Sequence, residues 1–196
     1  MQTTYGAPSA LPDTEWRTRD IVVVAVIGVT FGLVFWAWNA IYGVLLGVVG
    51  SVALPIMDLV YAIWLVPAVL APLIVRKPGA ALFAELVAAG LSALLGSVWS
   101  IDTLLSGFVQ GAAAELVFAF TLYRRWTFPV LALAALASAA AAWIHDWVLY
   151  YAEIDPTVQL IRGVFMGISA VVIVAGGSIL LHRALKQAGA LEGFPD

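Results

Sequence analysis

The run IVVVAVIGVTFGLVFWAW, Ile21–Trp38, contains no charged residue. A helix rises about 1.5 Å per residue and needs about 20 apolar residues to cross the hydrocarbon of a bilayer, so this run is long enough to span a membrane. Hydrophobic residues make up 63% of the 196-residue chain and charged residues 11%, whereas soluble domains are about a quarter charged. We therefore predict an integral membrane protein.

Five further runs of this kind predict an all-α bundle of six transmembrane helices. They are Met57–Val75, Ala80–Val98, Thr103–Tyr123, Phe128–Tyr150 and Thr157–His182. The intervening segment Ile41–Leu54 is apolar but short and rich in glycine, so we expect a re-entrant or surface-lying segment on the outer side. The predicted organisation is a cytoplasmic tail over residues 1–19, a membrane domain over 20–186 and a cytoplasmic tail over 187–196.

The stretch VRKPGAALFAEL, Val75–Leu86, indicates how the bundle is oriented. With six spans, all basic residues except Arg162 fall on one side of the membrane: Arg17, Arg19, Arg76, Lys77, Arg124, Arg125, Arg183 and Lys186. Lys and Arg gather on the cytoplasmic side, so we expect both termini in the cytoplasm. A seventh span over Ile41–Leu54 would divide these charges between the two sides. Pro78 suits the first position of the third helix, where its missing N–H costs nothing.

Ionisable residues inside the spans mark the candidate chemistry, because charges in hydrocarbon are costly and usually face the bundle interior. Asp146 and Arg162 lie about 6 and 7 Å below the outer ends of consecutive antiparallel helices. We expect them to form an ion pair, since a buried charge needs a partner. Glu85 and Glu115 lie deeper, near the cytoplasmic side, and could approach each other. A hydrogen bond between helices and a proton relay are both open for this second pair.

Aromatic side chains surround two carboxylates near the outer side. One group shares a helix face at spacings of i, i+3, i+4 and i+7: Trp143, Asp146, Trp147 and Tyr150. A second group repeats the arrangement on the second helix: Asp58, Tyr61 and Trp64. An aromatic belt at the headgroups is the alternative, but a belt should occur at both interfaces. A carboxylate between aromatic faces suits a flat organic cation or an aminated heteroaromatic ring, which predicts an outward-facing binding pocket.

Motifs for other chemistry are missing from the sequence. It contains no G-x-x-x-x-G-K-[ST] loop for ATP, no cysteine, and only two histidines, His145 and His182, at opposite ends of the predicted bundle. We therefore expect no enzyme, no cofactor and no metal site, but a binding subunit that takes energy from partners. The motifs Gly28-x-x-x-Gly32 and Gly163-x-x-x-Gly167 permit close helix approach, either to such partners or within the bundle.

Several strings resemble one family of membrane proteins. They are Ile63–Trp64, RKPGAAL at Arg76–Leu82 followed by Glu85, GFVQGAAAE at Gly107–Glu115, and the positions of Asp146 and Arg162. Together they resemble the YkoE-like S components of energy-coupling-factor (ECF) vitamin transporters. The resemblance covers nearly all six predicted spans, and its most specific parts are RKPGAAL and the Gln-Gly-x-x-x-Glu pattern.

The resemblance implies a six-helix subunit in a prokaryotic cell membrane that binds thiamine or its hydroxymethylpyrimidine precursor. Its implied partners are a transmembrane T component, contacted through Gly28 and Gly32, and two ABC ATPases; no nucleic acid is expected. Resemblance and geometry together predict these ligand-binding residues: Asp58, Tyr61, Trp64, Gln110, Glu115, Trp143 and Asp146, with Asn39, Tyr42 and Trp99 supplied by lids. The alternatives are an S component for another small vitamin-like ligand, and a membrane scaffold or intramembrane enzyme using Glu85 and Glu115.

Overall fold

A computed structural model describes residues 14–49 and 54–195 of the chain, and these residues form six helices. The helices are α1 (Thr18–Val49), α2 (Leu54–Val75), α3 (Ala80–Leu94), α4 (Asp102–Phe120), α5 (Phe128–Leu149) and α6 (Pro156–Gln187). All except α3 are long and apolar enough to cross a membrane, and α3 is a shorter apolar helix. The prediction of an all-α membrane bundle is confirmed. Most of the predicted N-terminal tail, residues 1–13, lies outside the described residues.

Helix α1 is longer than the sequence suggested. It continues through Ile41 to Val49 and reaches 32 residues, so the prediction of a separate re-entrant or surface-lying segment there is wrong. No proline interrupts this run, and a Cβ added at Gly43 or Gly47 would meet nothing within 4 Å. Residues 50–53 of the predicted segment lie outside the described part of the chain. At about 1.5 Å per residue, α1 is about 48 Å long and exceeds the hydrocarbon thickness of about 30 Å.

Helix α2 is the central helix of the bundle and changes geometry along its length. In its most apolar window 78% of the residues are buried, against 22–39% in the other four spans. A short α turn, Leu54–Met57, leads into a 3₁₀ segment, Asp58–Leu65, and an α-helix restarts at Pro67. Proline has no backbone N–H to donate to the preceding turn, which explains the restart. Every residue of Pro67–Val75 is buried.

Glycines bring α1 against α3. A Cβ on Gly28 would lie 2.6 Å from the Cβ of Val87, and one on Gly32 would lie 2.7 Å from the Cβ of Leu91. Both glycines are buried, and only the absence of a side chain lets the two backbones approach this closely. The two glycines therefore pack against α3 within the bundle, the second of the two roles that their spacing allowed, and a T-component contact through them stays a prediction.

The two ends of the described chain meet at one end of the bundle. Trp16 donates its indole N–H to the carbonyl of Pro78 at 3.0 Å, and the guanidinium of Arg19 lies 4.9 Å from the ring centre of Phe194. We call this the basic end, since it carries the positively charged residues of the termini and of the turns beside them: Arg17, Arg19, Arg76, Lys77, Arg124, Arg125, Arg183 and Lys186. Termini on one side require an even number of crossings, in agreement with six helices. The side of the membrane that this end faces stays a prediction.

Candidate ligand-binding site

A cavity of about 70 Å³ lies in the half of the bundle away from the basic end. Helices α1 to α5, the α3–α4 connection and the α5–α6 connection contribute to its lining. Seven of its lining residues are aromatic: Phe35, Tyr42, Tyr61, Trp64, Trp99, Tyr150 and Tyr151. A water molecule needs about 10–15 Å³ of cavity space, so the cavity has room for several waters or for one small ring.

Seven of the ten predicted ligand-binding residues line this cavity: Asn39, Tyr42, Tyr61, Trp64, Trp99, Gln110 and Asp146. Three do not: Asp58, Glu115 and Trp143. Each of these three makes contacts of its own elsewhere in the bundle, as shown below. The structure therefore brings most of the predicted set together from four helices and one connection.

Asn39 holds one wall of the cavity in place. Its amide donates hydrogen bonds to the hydroxyl oxygens of Ser92 at 3.2 Å and Ser97 at 3.0 Å. Its carbonyl oxygen accepts the indole N–H of Trp64 at 2.9 Å. Asn39 is buried within α1, so it is a fixed part of the wall and not the lid residue that we predicted.

The indole of Trp64 is also fixed by its aromatic neighbours. The ring of Tyr42 meets it edge to face with centroids 4.9 Å apart, and the ring of Tyr61 does so at 5.0 Å. Such pairs stabilise a single arrangement of the rings beyond the area that they bury. The cavity is therefore bounded on this side by a preformed aromatic surface on which a planar ligand can stack.

Asp146 is held by its chain neighbour His145. The two ring nitrogens of His145 lie 3.1 Å from a carboxylate oxygen of Asp146 and 3.1 Å from one of Asp102. Tyr150 donates its hydroxyl to the other oxygen of Asp102. Both imidazole nitrogens can donate at once only when the ring is protonated. Because the imidazole stands between the two carboxylates, the three side chains do not converge on one point. The described residues contain no cluster of three or more His, Asp or Glu side chains that could hold a metal ion.

Arg162 pairs with Asp58, and the predicted pair with Asp146 is wrong. The Nε of Arg162 donates to Asp58 at 2.8 Å, Nη1 donates to the side-chain carbonyl of Gln159 at 3.2 Å, and the guanidinium lies 4.0 Å from the ring centre of Tyr151. The 3₁₀ part of α2 packs against α6 and turns Asp58 toward Arg162. Asp58 is thus engaged in a buried pair and does not line the cavity.

Trp143 joins α5 to α6. Its indole N–H donates to the backbone carbonyl of Gln159 at 2.9 Å. A Cβ on Gly163 would lie 3.0 Å from the indole ring, so this glycine makes room for it. The prediction of Trp143 as a cavity residue is wrong, because the ring packs between two helices and lies outside the cavity lining.

Glu115 lies at the basic end, where it caps α3. Its carboxylate accepts the backbone N–H groups of Gly79 at 2.6 Å and Ala81 at 2.9 Å, and the hydroxyl of Tyr123 at 2.7 Å. The first N–H groups of a helix have no partner within it and favour a negative charge. Burial, followed by the hydrogen bond to Glu115, raises the pKa of the Tyr123 hydroxyl above its usual value. RKPGAAL therefore meets the glutamate end of the Gln-Gly-x-x-x-Glu motif here, outside the cavity, whereas Gln110 at the other end of the motif lines the cavity.

Glu85 lines the cavity, although it was not among the predicted ligand-binding residues. It is fully buried, and one carboxylate oxygen accepts the backbone N–H of Ala68 at 3.1 Å. Among the described residues Glu85 and Glu115 share no hydrogen-bond partner, so no shared hydrogen bond joins the two carboxylates. Asp102 and His145 were also missed as site residues. They are 43 positions apart in the chain, and no spacing rule detects such a contact.

Comparisons with known proteins point to one group. A family profile described as "ABC-type cobalt transport system, permease component" matches residues 19–141. The chain is 34% identical over 181 residues to "Putative HMP/thiamine permease protein YkoE" of Bacillus subtilis (strain 168), covering 92% of this chain and 89% of that protein. It is also similar to a solved structure described as "Crystal structure of an S-component of ECF transporter". That match has a TM-score of 0.86, 33% identity and coverage of 91% of this chain and 90% of the other.

Proposed function

Because this chain belongs to the YkoE-like S components of ECF transporters, which are membrane transport subunits and not enzymes, we propose that it captures thiamine or its hydroxymethylpyrimidine precursor for import. The ligand would occupy the cavity lined by α1 to α5 and by the α3–α4 and α5–α6 connections. Tyr42, Tyr61 and Trp64 would stack on a planar ring of the ligand. Asp146 would supply the negative charge beside it.

The charge balance of the cavity is the observation that carries this proposal. Asp102 and Asp146 share one histidine between them, so two carboxylates and an imidazolium leave one negative charge over within this group of three. Asp58 adds nothing, since Arg162 neutralises it. An aromatic cavity with an excess carboxylate favours a flat cation. The thiazolium of thiamine carries such a charge, and its aminopyrimidine offers hydrogen-bond donors.

The orientation follows from the positive charges. We propose that the basic end faces the cytoplasm, as expected for Lys and Arg in membrane proteins, so that the cavity opens outward in a prokaryotic cell membrane. The sequence has no nucleotide-binding loop of the kind that ABC ATPases use. Energy would come from two ABC ATPases, coupled through a transmembrane T component.

Tryptophan emission of the purified protein tests this function. Thiamine at micromolar concentration should quench the emission, since Trp64 and Trp99 line the cavity, and Asp146→Asn should weaken binding by about 10- to 100-fold, as for a charged hydrogen bond. Trp16→Phe, at the basic end, should leave the quenching unchanged. Mass spectrometry should find one vitamin retained per protein. Absence of both responses, or retention of Co²⁺ in place of an organic ligand, would rule the proposal out.

A further inference from the structure

The α4–α5 turn, residues 121–127, carries two adjacent arginines at the basic end of the bundle. Arg124 and Arg125 are both exposed. Within the part of the chain that the structure describes, neither side chain has a hydrogen bond or an ion pair. Arg19, at the same end, differs because its Nε lies 3.7 Å from a carboxylate oxygen of Asp20. The positive charges of the α4–α5 turn are therefore left for a partner from outside the described chain.

The end of α4 fixes the conformation of this turn. The backbone carbonyl of Phe118 accepts the N–H of Tyr123 at 3.0 Å and the hydroxyl of Thr121 at 2.9 Å. Leu122 and Tyr123 have φ angles of 54° and 55°, a left-handed conformation that turns the chain away from the helix axis. The hydroxyl of Tyr123 also donates to Glu115 at 2.7 Å. The two arginines that follow are therefore attached to a preformed support.

Trp126 brings a third guanidinium to the same surface. Its indole stacks on the ring of Phe118, with centroids 5.1 Å apart and an angle of 25° between the planes. The Cζ of Arg76, from the α2–α3 connection, lies 5.8 Å from the centre of the Trp126 ring. A cation at this distance from an aromatic face is attracted to it. Positive charge from two neighbouring connections is thus concentrated around one tryptophan.

Large apolar side chains flank the arginines. Phe120 is 87% exposed, Leu122 61% and Phe128 48%. Phe120 ends α4 and Phe128 begins α5, and both helices are long and apolar enough to cross a membrane. Apolar side chains beside arginines at the ends of such helices are typical of the boundary between acyl chains and headgroups. The composition of this surface therefore favours a lipid over a soluble acidic protein, which would match the charges alone.

We propose that the α4–α5 turn binds an anionic phospholipid. Arg124 and Arg125 contact the phosphate of the headgroup, because a guanidinium can donate two parallel hydrogen bonds to phosphate oxygens. Phe120, Leu122 and Phe128 contact the acyl chains. A zwitterionic headgroup brings a cation of its own, which the arginines repel, so the surface selects lipids with a net negative charge. This surface lies at the opposite end of the bundle from the cavity, and the proposal does not depend on the proposed function.

Native mass spectrometry of the detergent-purified protein tests this proposal. The probes are phosphatidylglycerol and phosphatidylcholine with the same acyl chains. One basic residue near an anionic membrane surface contributes about fivefold to binding, so the wild type should prefer phosphatidylglycerol by about 25-fold. Arg124→Gln and Arg125→Gln should each lose about fivefold of this preference, and the double variant should bind both lipids equally. Both positions are exposed, so all three variants should fold.

The matched control is Arg183→Gln, which removes an exposed arginine of the basic end from α6. At physiological ionic strength charges act over about 8 Å, so this variant should change the preference by less than about twofold. Equal losses in Arg183→Gln and Arg124→Gln overturn the assignment, because the lipid would then respond to the total charge of this end. Equal binding of both lipids by the wild type also overturns it and leaves an acidic protein as the partner. Inorganic phosphate should not raise the melting temperature as phosphatidylglycerol does; an equal increase overturns the lipid as the source of the phosphate.

Discussion

Replacing Arg162 by Gln should destabilise the protein far more than the same change at an exposed arginine. Arg162 is 1% exposed and donates to the fully buried Asp58 at 2.8 Å. Removing one partner of a buried pair leaves an uncompensated charge and costs roughly 3–5 kcal/mol. A chain of this length loses roughly 2–4 °C in melting temperature per kcal/mol. The expected decrease is therefore roughly 6–20 °C.

The assay is thermal unfolding of the detergent-purified protein, followed by loss of helical circular dichroism. Arg162→Gln, Asp58→Asn and the double variant complete a cycle that isolates the interaction between the two side chains. The double variant should recover much of the loss, because neither charge is then left unpaired. Arg183→Gln, at an exposed position of α6, is the matched control and should change stability by no more than about 0.5 kcal/mol.

The same cycle with Asp146 distinguishes the two possible pairings. If Asp58 is the partner of Arg162, then adding Asp146→Asn to Arg162→Gln should give no rescue. Rescue by Asp146→Asn, or a melting temperature of Arg162→Gln equal to that of the Arg183→Gln control, would refute the reasoning. Either result would also return Asp58 to the set of charges that can face the ligand.

Three further predictions concern the mouth of the cavity, the packing of α1 and the start of α6. Trp99→Ala should speed ligand dissociation several-fold in stopped-flow fluorescence, because its ring lines the cavity and packs edge to face against the ring of Tyr150; an unchanged rate would contradict this. Gly28→Val should lower the melting temperature, since overpacking costs about 1–3 kcal/mol, whereas Gly43→Ala should not. The N–H of Thr157 donates to the carboxylate of Asp155 and lowers its pKa. The wild type should therefore be more stable than Asp155→Ala above about pH 3.9, and this difference in stability should disappear as the pH falls through the lower pKa of the folded state. A difference that stays constant with pH would contradict the prediction.

The helices could be predicted from the sequence because each depends on the composition of a continuous run. Apolar length and the placement of Lys and Arg predicted the starts of α3 and α5 at Ala80 and Phe128, where the helices do begin, although Pro78 precedes α3 and does not take its first position. The end of α1 could not be predicted in this way. Glycine-rich runs have low helix propensity in water, but helix is the conformation that satisfies the backbone in a membrane, and α1 continues to Val49.

The partners of the buried charges could not be predicted, because they depend on how each helix is rotated about its axis. Asp146 and Arg162 lie at equal depth, yet Arg162 faces α2 and Asp146 faces His145. Depth follows from counting residues, whereas facing direction follows from packing. Glu115 likewise looked like a ligand-binding carboxylate, since nothing in its own helix reveals that the N–H groups of the next helix end are its partners.

Pro67 links the fold to the position of the site. In the hydrocarbon of a bilayer every backbone N–H needs a partner, so a helix is interrupted only where protein or a cavity can satisfy the groups that it releases. In α2 the 3₁₀ segment supplies Tyr61 and Trp64 to the cavity wall, and the restart after Pro67 releases the N–H that binds Glu85. A proline in the middle of a predicted span, followed in the next span by a carboxylate at matching depth, therefore indicates a ligand-binding level within a membrane bundle. In this chain that level is where the aromatic wall and Glu85 meet.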